Sequence, residues 1–216
     1  LNILNQFFEK IYVTSSYPTQ NRLNELIPFL NKENIQYELI ISPKKKYFKP
    51  DYDKTLVNEG AQSLISANES IFLKEKFNKS DTFCIIEDDV FFVDNYIDKL
   101  SILFKKLPVD WDILNLGYHE HTPINFKLNE NDVYYKLNVG EEIVGSHFIV
   151  YKQHVVQSLL DSIETCTVPM DWFLSKTICP NFSTYICTDK MFYQSSYRSY
   201  ELDKNESYKK YKSGIE

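Results

Sequence analysis

Eleven residues, Thr82-Phe83-Cys84-Ile85-Ile86-Glu87-Asp88-Asp89-Val90-Phe91-Phe92, constrain the fold of this chain more than any other stretch. An apolar strand runs into three consecutive carboxylates and is followed at once by more apolar residues, which require a core. Side chains alternate along a strand, so Glu87 and Asp89 are expected on one side and Asp88 on the other. The carboxyl ends of strands are where open α/β sheets bind ligands. Carboxylates held close together repel unless a proton or cation lies between them, and hard divalent ions take oxygen ligands. The triplet is therefore a candidate seat for Mg²⁺ or Mn²⁺ carrying a phosphorylated ligand. The alternative is an Asp-rich turn capping a helix that starts near Asp94.

The flanking sequence supports an α/β context. Lys10 to Ser15 is β-rich and followed by a turn signal at Tyr17-Pro18. Leu23, Leu26, Ile27 and Leu30 recur at helical spacing within Arg22 to Asn31, and Ile35 to Ile41 alternates as a strand does. Lys44 to Asp53 reads as a polar loop. Asn58 to Phe77 has an approximate helical stripe of Leu64, Ala67, Ile71 and Leu73. A helix from Asp94 to Lys106 and a strand from Trp111 to Leu116 follow the acids. Alternating strands and helices predict a largely parallel sheet flanked by helices. No repeat or linker marks a boundary, so residues 1–216 are read as one domain. Leu1 is not an initiator Met, which leaves open excision from a longer chain.

Composition narrows the function classes. With 43% hydrophobic and 25% charged residues the chain is globular rather than disordered. Its net charge of −6 argues against general nucleic-acid affinity. No apolar run approaches the roughly 18 residues of a membrane span. Cys84, Cys166, Cys179 and Cys187 lack C-x-x-C spacing, which disfavours zinc; a disulfide among the last three stays open. Four N-x-S sequons, at Asn68, Asn78, Asn181 and Asn205, are explained by abundance of Asn and Ser. The expected compartment is the cytoplasm, with the secretory-pathway lumen as the alternative.

Two further constellations lie in the second half. Glu142 to Tyr151 reads as a strand interrupted by Gly145-Ser146-His147. Glycine there marks either a bulge or a close approach by a ligand or backbone. In Val168-Pro169-Met170-Asp171, Asp171 opens a helical run, as an N-cap or as a general base pre-oriented at a cleft rim. His119 and His121 form an H-x-H step read as rim loop rather than metal site.

In their order along the chain, these segments resemble the family 25 glycosyltransferases, the group containing lipopolysaccharide galactosyl- and glucosyltransferases and collagen hydroxylysine galactosyltransferases. Ile11-Tyr12-Val13 with downstream Arg22 resembles the family's opening strand and basic loop. Ile85-Ile86-Glu87-Asp88-Asp89 is similar to its L-x-x-E-D-D, and Asp112-Ile113-Leu114-Asn115-Leu116-Gly117 to its D-x-x-x-L-G. Gly145-Ser146-His147 is similar to the start of G-T-H-G-Y, and Pro169-Met170-Asp171 to P-x-D. The chain departs from the family where Gly60 is followed by Ala61-Gln62-Ser63 without the usual Ser-His pair. It departs again at Phe148, which replaces a glycine, and in the sparsely basic Tyr17 to Arg22. These changes mark a divergent member.

The resemblance implies a GT-A-type nucleotide-sugar-binding fold and an inverting transfer of galactose or glucose from a UDP-sugar. The acceptor would be a hydroxyl on a glycan, lipid-linked saccharide, lipopolysaccharide or hydroxylysine. By the same resemblance, Asp89 would ligate Mn²⁺ or Mg²⁺, and Glu87 and Asp88 would hold the ribose or the metal's waters. Arg22 would contribute to the nucleotide pocket, Gly145, Ser146 and His147 would line the donor sugar or acceptor, and Asp171 would be the general base. Two alternatives are a non-catalytic carbohydrate- or nucleotide-sugar-binding module and a metal-dependent nucleotidyltransferase or phosphohydrolase. Against the latter, neither G-x-x-x-x-G-K-[ST] nor G-x-G-x-x-G occurs.

Overall fold

A computed structural model describes residues 4–15, 22–42, 59–119 and 132–194. The Tyr17-Pro18 turn, the Lys44–Asp53 loop, His121 and Asn205 lie outside them. The first half runs α1 (Leu4–Phe7), β1 (Lys10–Ser15), α2 (Leu23–Lys32), β2 (Glu38–Ile41), α3 (Glu59–Asn78) and β3 (Thr82–Glu87). It continues through β4 (Val90–Phe92), α4 (Tyr96–Lys106) and β5 (Ile113–Gly117). Then come β6 (Tyr134–Lys136), β7 (Phe148–Lys152), α5 (Val156–Ile163), α6 (Met170–Phe173), β8 (Thr184–Cys187) and β9 (Phe192–Gln194).

Among the described residues, seven strands form one sheet in the order β2-β1-β3-β7-β5-β8-β6, while β4 and β9 pair separately. β1, β2, β3, β5 and β8 share a direction, and β7 and β6 run against them. The fold class is as expected, α/β with a mostly parallel sheet, and the reversal of β7 has a consequence for the site. Ile86 of β3 pairs with Phe148, the first residue of β7. An antiparallel neighbour begins where β3 ends, so the residues entering β7 arrive beside Glu87.

The period-2 pattern of the strands divides the core into two layers. Ile11, Val13, Cys84, Ile86, Leu114, Leu116, Phe148 and Val150 face α1, α2 and α4. Their alternates Tyr12, Phe83, Ile85, Ile113, Ile149 and Tyr151 face α3, α5 and α6. This is a three-layer sandwich, with both sheet faces buried as parallel strands require. The stripe of α3 differs from expectation: Ile65, Ala67, Ile71 and Phe72 are buried, whereas Leu73 is half exposed and Phe77 points to solvent. The four cysteines are buried free thiols, so no disulfide forms among them.

Two local expectations are corrected. The strand read over Glu142 to Tyr151 begins only at Phe148: Gly145 adopts φ +87, the backbone groups of Ile143 and the Gly145 N–H bond to side chains, and Val144 O accepts from the His119 N–H rather than from a ladder neighbour. The acids do not cap the next helix. α4 starts at Tyr96 with Asn95 in the cap position, and β4 intervenes.

Candidate functional site

Strand β3 ends at Glu87, and Asp88 and Asp89 form the turn into β4. Both turn residues are buried, at 5% and 3% exposure. Ser15, the last residue of β1, donates its hydroxyl to Asp88 Oδ2 at 2.5 Å. Arg22, just before α2, places Nη1 2.7 Å from Asp89 Oδ2 and 3.6 Å from Asp88 Oδ1. Gln194 at the end of β9 donates Nε2 to Asp89 Oδ2 at 3.0 Å and to Glu87 Oε2 at 3.4 Å. The shared amide fits the expectation that Glu87 and Asp89 turn the same way. Arg22 meets carboxylates where the sequence suggested phosphate.

Glu87 faces a cavity of about 160 Å³ that it shares with His119, Gly145, His147, Asp171 and Gln194. Burial pushes the Glu87 carboxyl well above the usual carboxylate range, and the charges of Asp89, Asp171 and Asp88 add to this while Arg22 opposes it. Burial also raises Asp88, helped by Asp89 and opposed by the Ser15 hydrogen bond and Arg22. A carboxyl raised in this way is a poor resting anion and a ready partner for an incoming cation.

Asp171 lines the same cavity as the second residue of α6, and Pro169 occupies the cap position, so the N-cap reading does not hold. Asp171 Oδ2 accepts the Gly145 N–H at 2.9 Å, and Oδ1 accepts the N–H of Trp172 at 2.9 Å. Each oxygen has a second lone pair left for a further hydrogen bond. Gly145 is further fixed by Asn115, whose Nδ2 donates to its carbonyl at 3.1 Å. The His119 N–H donates to Val144 O at 2.8 Å. A Cβ at Gly145 would lie 2.8 Å from His119 Cδ2, and one at Gly117 2.5 Å from His147 Cδ2. The two glycines make room for the two imidazoles, whose centroids are 5.6 Å apart.

His147 is buried, with its pKa pulled down to about 3 by burial first and then by the charges of His119 and Lys190. Its Nε2 lies 3.4 Å from Phe192 O, and Nδ1 has no hydrogen-bond partner. A neutral imidazole of this kind is a hydrogen-bonding wall and a weak base.

The structure thus gathers Glu87, Gly145, Ser146, His147 and Asp171 around one cavity, with Asp88, Asp89 and Arg22 beside it through Gln194. Sequence reasoning missed Gln194, Ser15 and Asn115. Asn115 carried a signal, being a polar residue in the apolar strand Ile113–Gly117. Gln194 carried none.

The donor set suits a hard cation in kind. Among the described residues no three acidic, His or Cys groups converge as a cage. A nucleotide-bound Mg²⁺ or Mn²⁺ needs only one or two carboxylates, the phosphates and waters supplying the rest. Asp89, with Asp88 and Glu87 beside it in sequence, would supply such carboxylates, and Arg22 now occupies Asp89 Oδ2. Among the described residues no helix is long and apolar enough to cross a membrane.

No protein-family model matches the chain, and no curated protein matches it. A crystal structure of a glycosyltransferase involved in the glycosylation of the major capsid of PBCV-1 aligns over 95% of this chain and 98% of its own, with TM-score 0.52 and 9% identity. The inositol-1-phosphate CTP transferase from T. maritima aligns over 96% of each chain, with TM-score 0.49 and 13% identity. Resting on the first of these, the likeness is one of fold alone: a GT-A-like α/β architecture built on a mixed seven-stranded sheet.

Proposed function

We propose that this chain is a nucleotide-sugar transferase, and more narrowly an inverting, metal-dependent enzyme that moves a hexose from a UDP-sugar to an acceptor hydroxyl, as its resemblance to the family 25 glycosyltransferases implies. The observation that carries this reading is convergence. Glu87 at the end of β3, Gly145 to His147 entering β7, and Asp171 on α6 line one cavity at the carboxyl end of the central strand β3. At about 160 Å³ the cavity is smaller than the roughly 300–1,000 Å³ of whole-ligand pockets, so it would receive part of the ligand, in size a sugar ring.

Asp171 takes the proton from the acceptor hydroxyl. The oxygen bonds to the anomeric carbon as the bond from that carbon to the diphosphate oxygen breaks. The Gly145 N–H fixes the orientation of the carboxylate, and such a base contributes about 10²–10⁴ in rate. Asp89, with Glu87 and Asp88 beside it, would hold a divalent ion, which when bound neutralises charge on the departing diphosphate. Arg22, released from Asp89, would meet the same phosphates.

A second reading, a donor-binding module without turnover, is favoured by α3. There Ala61 and Leu64 present apolar surface to the cavity, in the stretch where the family has a Ser-His pair. UDP release from a panel of UDP-sugars with Mn²⁺, with and without acceptors, separates these. Turnover that needs an acceptor is expected. Binding without turnover supports the module, and release of pyrophosphate or phosphate a nucleotidyltransferase or hydrolase.

A further inference from the structure

The segment carrying Gly145 is gripped by a second side chain from the helical run that bears Asp171. After α6 the chain winds into a π-helical turn, Leu174–Ile178. Such turns are rare and recur at functional sites. Within it Ser175 is buried, at 4% exposure. Its hydroxyl accepts the Ile143 N–H at 2.9 Å and donates to the Ile143 carbonyl at 3.0 Å. A hydroxyl can do both at once, so one atom satisfies both backbone groups of Ile143, as a neighbouring strand would. Residues 171 and 175 are four apart on the helical side, a spacing that shares a face. Their targets, Gly145 and Ile143, are two apart in the facing segment.

We propose that Ser175 is a positioning residue for the transfer: through Ile143 it fixes the segment whose Gly145 N–H orients the Asp171 carboxylate towards the cavity. The inference rests on Asp171 acting as the base. Without the hydroxyl, the N–H and C=O of Ile143, itself 3% exposed, lose their partner, and the segment gains freedom where Gly145 meets Asp171. A small displacement of a reacting group is costly, about 10²-fold for 1 Å.

The test compares Ser175→Ala, Ser175→Thr and Ser175→Val in the full chain. Thr keeps the hydroxyl, and Val has the same shape without it. One readout is independent of turnover: amide hydrogen exchange at Gly145 in the nucleotide-free protein, referenced to Ile85 and Ile149 in the sheet. The other is the split between kcat and the KM for the UDP-sugar. Ser175→Ala and Ser175→Val are expected to speed exchange at Gly145 selectively. They should also lower kcat about 10-fold or more with donor KM unchanged, Thr staying closer to wild type than Val in both readouts. If Ser175→Ala does not fold, Ser175→Cys is read by the same two measurements.

Unchanged protection at Gly145, or equal behaviour of Thr and Val, overturns the proposal. Protection lost with kcat retained overturns it too, and leaves the base assignment standing provided that Asp171→Asn is itself slow. If Asp171→Asn retains the wild-type rate, the base assignment has failed and the positioning role falls with it.

Discussion

Replacing Arg22 by Gln tests the electrostatics of the site most directly. The Arg22 side chain is 39% exposed, while those of Asp88 and Asp89 are 5% and 1% exposed. At 2.7 Å and an effective dielectric of about 20, the Arg22–Asp89 attraction is about 6 kcal/mol before desolvation. Exposure of the guanidinium and the desolvation of Asp89 remove most of this. Surface pairs contribute about 0–1 kcal/mol, and breaking a buried pair costs about 3–5 kcal/mol. This half-buried case is placed between them, at about 2 kcal/mol.

For a chain of this size that is a fall of about 4–8 °C in Tm. Thermal unfolding with chelator present measures it. Mn²⁺ should then raise the Tm of Arg22→Gln more than that of wild type, because the ion no longer competes with the guanidinium for Asp89. A double-mutant cycle with Asp89→Asn should give a coupling of about 1 kcal/mol or more. Melting within about 1 °C of wild type in chelator, with no coupling to Asp89, would refute the account of Arg22 as the counter-charge of the triplet.

Asp89→Asn should weaken Mn²⁺-dependent UDP binding in calorimetric titration by about 10-fold or more; unchanged metal dependence would reduce the triplet to a turn. Asp171→Asn should lower turnover about 10²-fold or more while UDP-sugar binding holds. It should also cost about 1 kcal/mol, since a single amide oxygen cannot serve both Gly145 N and Trp172 N as the carboxylate does. Gly117→Ala should destabilise by about 1–3 kcal/mol in denaturant titration, because the new methyl meets the His147 ring at 2.5 Å. In the metal-free protein, Glu87 binds its proton more tightly folded than unfolded, with a folded pKa raised above the ordinary 4.5. Its contribution is therefore complete below that value and is lost as pH rises through the raised one. Tm should increase as pH is lowered from neutral towards about 5, and Glu87→Gln should flatten that dependence.

What could be read from the sequence was what local chemistry encodes. Lys10–Ser15 appears as a strand with the bounds expected, because an apolar β-branched run between polar neighbours has few alternatives. The acid triplet, Gly145 and Asp171 stood out because each breaks a local rule: charge amid core residues, glycine in an apolar run, and an acid at a helix start. Strand direction is not written locally, so the antiparallel β7 that brings Gly145 to Glu87 could not be read from periodicity. Nor could the pairing of β4 with β9, which joins segments about a hundred residues apart and delivers Gln194. Arg22 was legible as a basic residue near the sheet edge, but its partner depended on which charged group the fold brought closest.

The β4–β9 ribbon also bears on how the protein is made. Val90 pairs with Gln194, so the carboxylate cluster acquires this neighbour only after nearly all of the described chain has been synthesised. An emerging chain that has reached Asp171 already carries Glu87, Asp88 and Asp89, with the amide that bridges two of them still missing. Domains dominated by such distant pairings fold slowly. A cation or nucleotide captured by the site would therefore stabilise the completed fold and not its precursors, acting on the final step of folding rather than on nucleation.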